Sequence, residues 1–175
     1  MKFKKIVQRF LVPGSLLSIY YFYKYRCMVS PRAEIEFSPL LTIGRRTQIS
    51  SFCKIKATDG PIKIGKNVSI ATGAFISSHT SGIRIGDDCL IGPNVTIVAG
   101  NYRYDRIDTP IRLQGHTSTG IEIENNVLIG AGAVILDGAR IRQGVIIAPN
   151  SVVSGNTSEN VIIQGNPAKV VFTRR

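Results

Sequence analysis

Isoleucine recurs at intervals of six residues from position 43 to the end of the chain. An interval of six matches neither the 3.6-residue period of a helix nor the two-residue alternation of a single strand. Glycine often follows the isoleucine, and four residues after it the side chain is small or β-branched. The anchor positions of this repeat are Ile43, Ile49, Ile55, Ile64, Ile70, Ile76, Ile85, Ile91, Ile97, Ile123, Ile129, Ile135, Ile141, Ile147, Val153 and Ile163.

The repeat predicts a stack of short strands joined at corners. In this interpretation each isoleucine points inward onto the isoleucine of the coil below, the small residue fills the corner, and glycine permits the turn. Three hexads then make one triangular coil. A β-sandwich fits less well, because its strands alternate in polarity and recur about 8 to 12 residues apart. The pattern therefore predicts an all-β fold, a parallel β-helix, for residues 33–175.

Two irregularities in the spacing indicate where loops leave the coils. The first three isoleucine series begin 21 residues apart, which leaves three extra residues at one corner, around Asp59–Pro61 and Thr80–Gly82. Between Ile97 and Ile123 the gap is 26 residues, and this predicts a longer loop over 98–122. Loops on a rigid scaffold carry a disproportionate share of functional residues, so the candidate site is expected there.

Positive charge is concentrated at the N-terminus of this chain, whose net charge is +11. Residues 1–32 hold seven Lys/Arg and no acid, together with many aromatic side chains. We expect a helical or irregular segment that either contacts a membrane surface, through residues 1–30, or caps the open end of the β-helix. Nucleic-acid binding is not expected, because these basic residues lie on no groove-reading motif.

The cysteine spacing favours a reducing compartment, and the hydropathy pattern bears on membrane insertion. The three cysteines are far apart, which indicates neither a zinc site nor a disulfide framework. The apolar run from Phe10 to Tyr23 is interrupted by Pro13 and Gly14, and it matches neither a membrane span nor a cleaved signal peptide. We expect a cytoplasmic protein, peripheral on the inner face of the membrane.

A zinc enzyme of the γ-type carbonic anhydrase class is excluded, since it needs three histidine ligands and the chain has two.

Three motifs are the most specific parts of the sequence: IGDDCLIGPN at 85–94, GIEIENNVLIGAGAVI at 120–135 and GNPAKVV at 165–171. Through these motifs the chain resembles the hexapeptide-repeat acyltransferases from about Pro31 to Arg175. Within them it is similar to the maltose and galactoside O-acetyltransferases and to polysaccharide O-acetyltransferases. The resemblance implies a left-handed β-helix, a homotrimer with active sites between subunits, and acetyl-CoA as acyl donor without a metal.

In that family a histidine deprotonates the acceptor hydroxyl, which then attacks the thioester directly. Tyr102 occupies the matching position here, and a phenol keeps its proton at neutral pH. Three interpretations remain open. In the first, His79 or His116 is the base, and His79 is expected close to Gly100 of the next coil. In the second, Tyr102 binds or orients a sugar and catalysis is weak. In the third, the protein is a non-catalytic scaffold relative.

The remaining site residues follow from the resemblance and from their place in the repeat. We expect substrate contacts from loop residues, and cofactor contacts from small corner residues and from the cationic C-terminus, which suits phosphates. The predicted function is acetyl transfer to a hydroxyl of a sugar or lipid-linked glycan precursor in surface polysaccharide biosynthesis. The substrate candidates are Asn101, Asp105 and Arg112; the cofactor candidates are Gly130, Ala131, Ala148, Pro167, Lys169 and Arg174.

Overall fold

A computed structural model describes residues 13–57 and 59–175 of the chain. The part of the N-terminal segment formed by residues 1–12 lies outside the described residues. Within the described residues, helix α1 (Gly14–Tyr25) precedes a series of short strands, and a 3-10 turn spans Ile111–Leu113. The strands, in chain order, are β1 (Met28–Val29), β2 (Glu34–Ile35), β3 (Leu41–Ile43), β4 (Gln48–Ile49), β5 (Lys54–Lys56), β6 (Ile62–Ile64), β7 (Ser69–Ile70), β8 (Phe75–Ser78), β9 (Ile83–Ile85), β10 (Leu90–Ile91), β11 (Thr96–Ala99), β12 (Asn101–Tyr102), β13 (His116–Thr117), β14 (Ile121–Ile123), β15 (Leu128–Ile129), β16 (Val134–Leu136), β17 (Arg140–Ile141), β18 (Ile146–Ile147), β19 (Val152–Val153), β20 (Val161–Gly165) and β21 (Ala168–Thr173).

All strands except β12 and β13 belong to three parallel sheets that make the three faces of a β-solenoid. Sheet 1 runs in the order β1-β4-β7-β10-β15-β18-β20, with β21 added antiparallel at its end. Sheet 2 runs β2-β5-β8-β11-β16-β19, and sheet 3 runs β3-β6-β9-β14-β17. Strands of one sheet are separated in sequence by a full coil. The all-β solenoid predicted from the repeat is confirmed.

The anchor isoleucines stack in register through the centre of the solenoid. In sheet 2, Ile55 pairs with Ile76, Ile76 with Ile97, and Ile97 with Ile135, and all four are 0% exposed. Complete burial of such a side chain contributes about 1.5–3 kcal/mol. The residues on either side point outward, as the burial pattern of Ile62–Lys63–Ile64 illustrates. The buried side chains therefore hold the three faces together, while the outward-facing positions between them are available for functional side chains.

The glycines that follow the anchors have a different role from the one expected. Gly65 and Gly130 do not adopt a positive φ; the left-handed corner positions come two residues later, as at Asn67 and Gly132. A Cβ on Gly65 would lie 2.5 Å from the Gly86 carbonyl oxygen, and one on Gly130 would lie 2.6 Å from the Pro149 nitrogen. These glycines are needed because adjacent coils approach too closely for a side chain.

Helix α1 packs against the first coil of the solenoid. Tyr21 is 3% exposed, its ring stacks on that of Tyr25 with centroids 5.9 Å apart, and its carbonyl accepts the Cys27 thiol at 3.5 Å. The ring of Tyr20 meets that of Phe37 edge-on at 5.1 Å. The helix ends at Arg26, which adopts the left-handed conformation. Among the described residues, no helix has the length and hydropathy needed to cross a membrane.

Candidate active site

The site begins where β8 and β11 end side by side in sheet 2. Ser78 pairs with Ala99, so that the next residues, His79 and Gly100, are also stacked. A Cβ on Gly100 would lie 2.7 Å from the Cβ of His79. Glycine at this position therefore allows the long loop to leave the solenoid directly over the imidazole. The prediction that His79 lies close to Gly100 is confirmed.

The loop rises from Gly100 as a short antiparallel hairpin. Strands β12 and β13 pair so that Asn101 lies opposite Thr117 and Tyr102 opposite His116. The Arg103 amide donates to the Gly115 carbonyl at 3.0 Å and extends the ladder. This pairing brings together two side chains from the two ends of the loop, one of which occupies the family's histidine position.

Three aromatic rings stand in a row at the base of this hairpin, and we call them the ring cluster: His79, His116 and Tyr102. The imidazole of His116 is in the middle. Its centroid is 5.0 Å from that of His79, with planes 28° apart, and 4.1 Å from that of Tyr102, with planes 44° apart. Tyr102 is 51% exposed, His116 is exposed, and His79 is half-buried. All three side chains considered as the catalytic group are therefore neighbours.

Each imidazole in the cluster offers one proton acceptor when it is neutral. The Nδ1 of His79 lies 3.4 Å from the Thr80 hydroxyl, a distance at the limit of a hydrogen bond. The ring of His116 contacts the other two rings, and the residue is exposed. The arrangement suits proton transfer from a bound hydroxyl to an imidazole.

The base of the loop is fastened to the solenoid by side chains on both sides. The Ser81 hydroxyl donates to the Ser118 carbonyl at 2.6 Å, and the Ser118 hydroxyl accepts from the Ser81 amide at 3.2 Å. The Asp137 carboxylate accepts the amides of Thr119 and Gly120 at 2.8 Å and 2.7 Å. These bonds fix where the strand bearing His116 returns to the solenoid.

The far end of the loop is organised by Gln114. Its side-chain amide donates to the carbonyls of Arg106 and Thr109, both at 2.7 Å, and its oxygen accepts the Arg106 amide at 3.0 Å. The Arg106 guanidinium pairs with Asp108 and holds the pKa of that carboxyl below its usual range. The loop tip is therefore a closed turn and not an extended strand.

The three predicted substrate contacts are distributed along the loop. Asn101 lies in β12 beside the ring cluster, while Asp105 and Arg112 lie further out, beyond the hairpin. All three are exposed, and the side chains of Asp105 and Arg112 form no hydrogen bond or ion pair within the described part of the chain. Their carboxylate and guanidinium groups are thus available to a ligand.

The predicted cofactor residues lie at a different corner of the solenoid. Gly130 and Ala131 follow β15 and Ala148 follows β18, so they form the corner between sheets 1 and 2. The Ala148 amide donates to the Ile163 carbonyl, and β20 then leads into the turn at Pro167 and to Lys169, which pairs with Gln164. The ring cluster lies at the corner between sheets 2 and 3. One chain therefore does not bring the two groups together.

Arg174 is separate from the other cofactor candidates. Its Nη1 donates to the Gly144 carbonyl at 2.5 Å, and its amide donates to the Asn160 carbonyl at 2.8 Å. Gly144 lies between β17 and β18, at the corner between sheets 3 and 1. The guanidinium is partly engaged in tying the C-terminal strand to the solenoid.

A charged groove beside the loop base was missed by sequence reasoning. It has a volume of about 260 Å³, and its charged lining residues occupy one outward register of sheet 3. Glu122 lies 3.5 Å from Arg84 and 3.9 Å from Arg140. Lys63 has no ion-pair partner among residues 13–57 and 59–175, so the groove carries an excess of positive charge. The signal was present as a charged residue between two buried isoleucines at 62–64, 83–85 and 121–123.

Two family models match the chain. Residues 120–155 match "Bacterial transferase hexapeptide (six repeats)", and residues 82–100 match "Hexapeptide repeat of succinyl-transferase". The two stretches contain the coil immediately before the loop and the coils immediately after it.

The relatives of this chain include two proteins that are O-acetyltransferases by name. The chain is 28% identical over 124 residues to a putative lipopolysaccharide biosynthesis O-acetyl transferase, WbbJ, of Escherichia coli (strain K12), covering 71% of this chain and 56% of that protein. It is 31% identical over 112 residues to a galactoside O-acetyltransferase of Lactococcus lactis subsp. lactis, covering 61% and 53%. The chain spans about half the length of the curated relatives it matches.

Among solved structures, the fold is similar to that of AntD, an N-acyltransferase from Bacillus cereus. A variant of that protein in complex with dTDP-4-amino-4,6-dideoxyglucose and coenzyme A superposes with a TM-score of 0.79 at 20% identity, covering 94% of this chain and 90% of that one. At this identity the likeness concerns the fold alone. The matched family models and the acetyltransferase relatives confirm that this chain resembles the hexapeptide-repeat acyltransferases.

Proposed function

We propose that this protein is an O-acetyltransferase that moves an acetyl group from acetyl-CoA to a hydroxyl of a sugar or lipid-linked glycan precursor. The observation that carries the proposal is the ring cluster, in which two imidazoles and a phenol adjoin at the base of the long loop. A histidine with an accessible acceptor nitrogen is the usual general base for a hydroxyl nucleophile. Among the relatives, one is named for lipopolysaccharide biosynthesis and another for galactosides.

We assign His116 as the base. Its ring lies between the other two and is exposed, so an acceptor can approach its edge, whereas His79 is half-buried beneath Gly100. His79 is then a positioning residue, because it supports the face of the His116 ring. Tyr102 closes the opposite face and lines the acceptor pocket instead of acting as a base.

The acetyl group passes directly from CoA to the acceptor, without an acyl-enzyme. The acceptor hydroxyl gives its proton to the free nitrogen of His116 while its oxygen forms a bond to the thioester carbon. The carbon–sulfur bond breaks as the tetrahedral intermediate collapses, and the imidazolium returns the proton to the leaving thiolate of CoA. The products are an acetyl ester and free CoA. General-base catalysis of this kind contributes about 10²- to 10⁴-fold in rate.

The complete site is proposed to form between copies in a homotrimer. The ring cluster belongs to the corner between sheets 2 and 3, whereas the small residues at Gly130, Ala131 and Ala148 belong to the corner between sheets 1 and 2. Acetyl-CoA lying along the second corner of one copy reaches the ring cluster only if that cluster comes from another. Lys169 is the candidate phosphate contact, because its ammonium is exposed.

The charged groove supports an acceptor that carries phosphate. Arg84 and Lys63 extend from sheet 3 beside the loop base, and each suits a phosphate oxygen. A lipid-linked or nucleotide-linked sugar has such a group. Amino sugars are the competing acceptor class, since AntD was solved with dTDP-4-amino-4,6-dideoxyglucose.

Competition between paired acceptors tests the proposal. Free-thiol release from acetyl-CoA is followed with nucleotide-linked sugars that differ only in carrying a hydroxyl or an amine at one position, and products are read by mass spectrometry and by ester lability to hydroxylamine. We expect a mass gain of one acetyl group and a labile ester. A stable amide would mean N-acylation and would contradict the assignment of the acceptor. Absence of acetyl-CoA binding by calorimetry would favour the scaffold alternative.

A further inference from the structure

Helix α1 has two faces with different surroundings. One face, formed around the buried ring of Tyr21, packs on the first coil. The other presents Leu16, Ile19, Phe22 and Tyr23, which are 57%, 53%, 53% and 78% exposed. Ile19 is three residues from Leu16 and from Phe22 and four from Tyr23, so these side chains lie on one side of the helix. We call them the outer face of α1.

Contacts with the solenoid fix the direction of the outer face. Tyr21 and Tyr25 are stacked, Tyr20 meets Phe37, and the Cys27 thiol donates to the Tyr21 carbonyl. Because this side of the helix is attached to the coil, the outer face cannot rotate inward to bury its apolar groups. Four large apolar side chains are thus held together in solvent at one end of the molecule, which is typical of an interaction surface.

The net charge of the N-terminal region indicates what kind of partner the outer face binds. Residues 1–57 contain eleven Lys/Arg and two acids, so nine of the chain's eleven net positive charges lie in its first third. Lys24 lies in the last turn of α1 and Arg26 at its C-terminal end, and the first acid of the sequence is Glu34. Pairing of this surface with its own copy would place like charges against each other, which is unfavourable.

We propose that the outer face of α1 docks on an anionic lipid bilayer. An apolar helix face on a cationic segment lies in the plane of the headgroups, with its side chains inserted among the acyl chains and the cations of the segment attracted by lipid charge. The inference does not depend on the acetyl-transfer proposal; it would, however, bring the site close to an acceptor that is anchored in the same membrane.

Vesicle flotation of the full chain tests this docking. Vesicles of phosphatidylcholine alone are compared with vesicles that also contain phosphatidylglycerol, at low and high salt. We expect binding only to the phosphatidylglycerol vesicles, weakened by salt. The double variant Leu16→Ser/Phe22→Ser should lower the partition coefficient at least about tenfold, because two inserted side chains are lost.

The matched control is Leu90→Ser/Phe172→Ser. It removes the same two residue types at 52% and 59% exposure, outside α1, and should bind like the parent. An unchanged thermal transition in both variants shows that folding is retained. Failure of the parent to bind phosphatidylglycerol vesicles, or equal loss in the control, would overturn the proposal. So would dissociation of the parent oligomer by the α1 variant alone, since the face would then be an interface between copies.

Discussion

Tyr102 and His116 face each other across the β12–β13 ladder, with their ring centroids 4.1 Å apart. The phenol that occupies the family's histidine position is therefore in direct contact with an imidazole supplied from the other end of the loop. Loss of the expected histidine at one position does not leave the site without an imidazole. This relationship supports the proposal that the site is catalytic over the proposal of a scaffold role.

Gly100 should be required for the geometry of the ring cluster. In Gly100→Ala the new methyl group would lie 2.7 Å from the Cβ of His79, so the imidazole or the loop must shift. Since a displacement of about 1 Å in a site can cost about 100-fold, we expect kcat to fall by about 10- to 100-fold. Steady-state kinetics of the purified variant measure this.

The control for that change is Gly155→Ala, whose methyl group would meet no atom within 4 Å. It should retain both the parent rate and the parent melting temperature. If Gly100→Ala also retains the parent rate, His79 does not support the site in the way argued above.

Gln114 should control the order of the loop tip. In Gln114→Ala the hydrogen bonds to Arg106 and Thr109 are lost, each worth about 0.5–1.5 kcal/mol. We expect faster amide hydrogen exchange over 103–114 and a higher KM for the acceptor, with little change in global unfolding. Gln143→Ala is the matched control, because that exposed side chain forms no hydrogen bond in the described ranges. Unchanged exchange in Gln114→Ala would rule out this role.

Alkaline pH should destabilise the protein through Cys27. Burial raises the pKa of the Cys27 thiol from 9.0 to about 11. Between these values the unfolded chain has lost the proton while the folded chain retains it, so stability is full below pH 9 and falls as the pH rises toward 11. Two pKa units correspond to about 2–3 kcal/mol. Burial also raises the pKa of Tyr21, which adds to the loss at higher pH.

Urea unfolding of the parent and of Cys27→Ala at several pH values measures this contribution. The variant should be less stable at pH 7, because a buried group is removed, but its stability should fall less steeply between pH 9 and pH 11. Parallel pH dependence in the two proteins would show that the thiol does not contribute.

The fold could be predicted from the sequence because a six-residue spacing of buried isoleucines admits few other structures. Counting hexads also located His79 beside Gly100 correctly. The role of Gly65 and Gly130 was predicted wrongly, since spacing does not distinguish a left-handed turn from a close approach of two coils. A left-handed turn and a close approach of two coils both require glycine.

The site was predicted in part. Each member of the ring cluster was identified, but the contact between Tyr102 and His116 depends on the register of a two-residue hairpin inside a loop without periodicity. The groove was not identified, because Lys63, Arg84 and Arg140 are in different coils. Only the stacking of sheet 3 brings them together.

The most direct test of the account is the kinetics of His116→Asn with a glycan acceptor and acetyl-CoA, measured beside His79→Asn and Tyr102→Phe. We expect His116→Asn to lower kcat by about 10²- to 10⁴-fold with little change in KM. His79→Asn should lose about tenfold or less, and Tyr102→Phe should act mainly on KM. A kcat of His116→Asn within about threefold of the parent would contradict the assignment of His116 as the base.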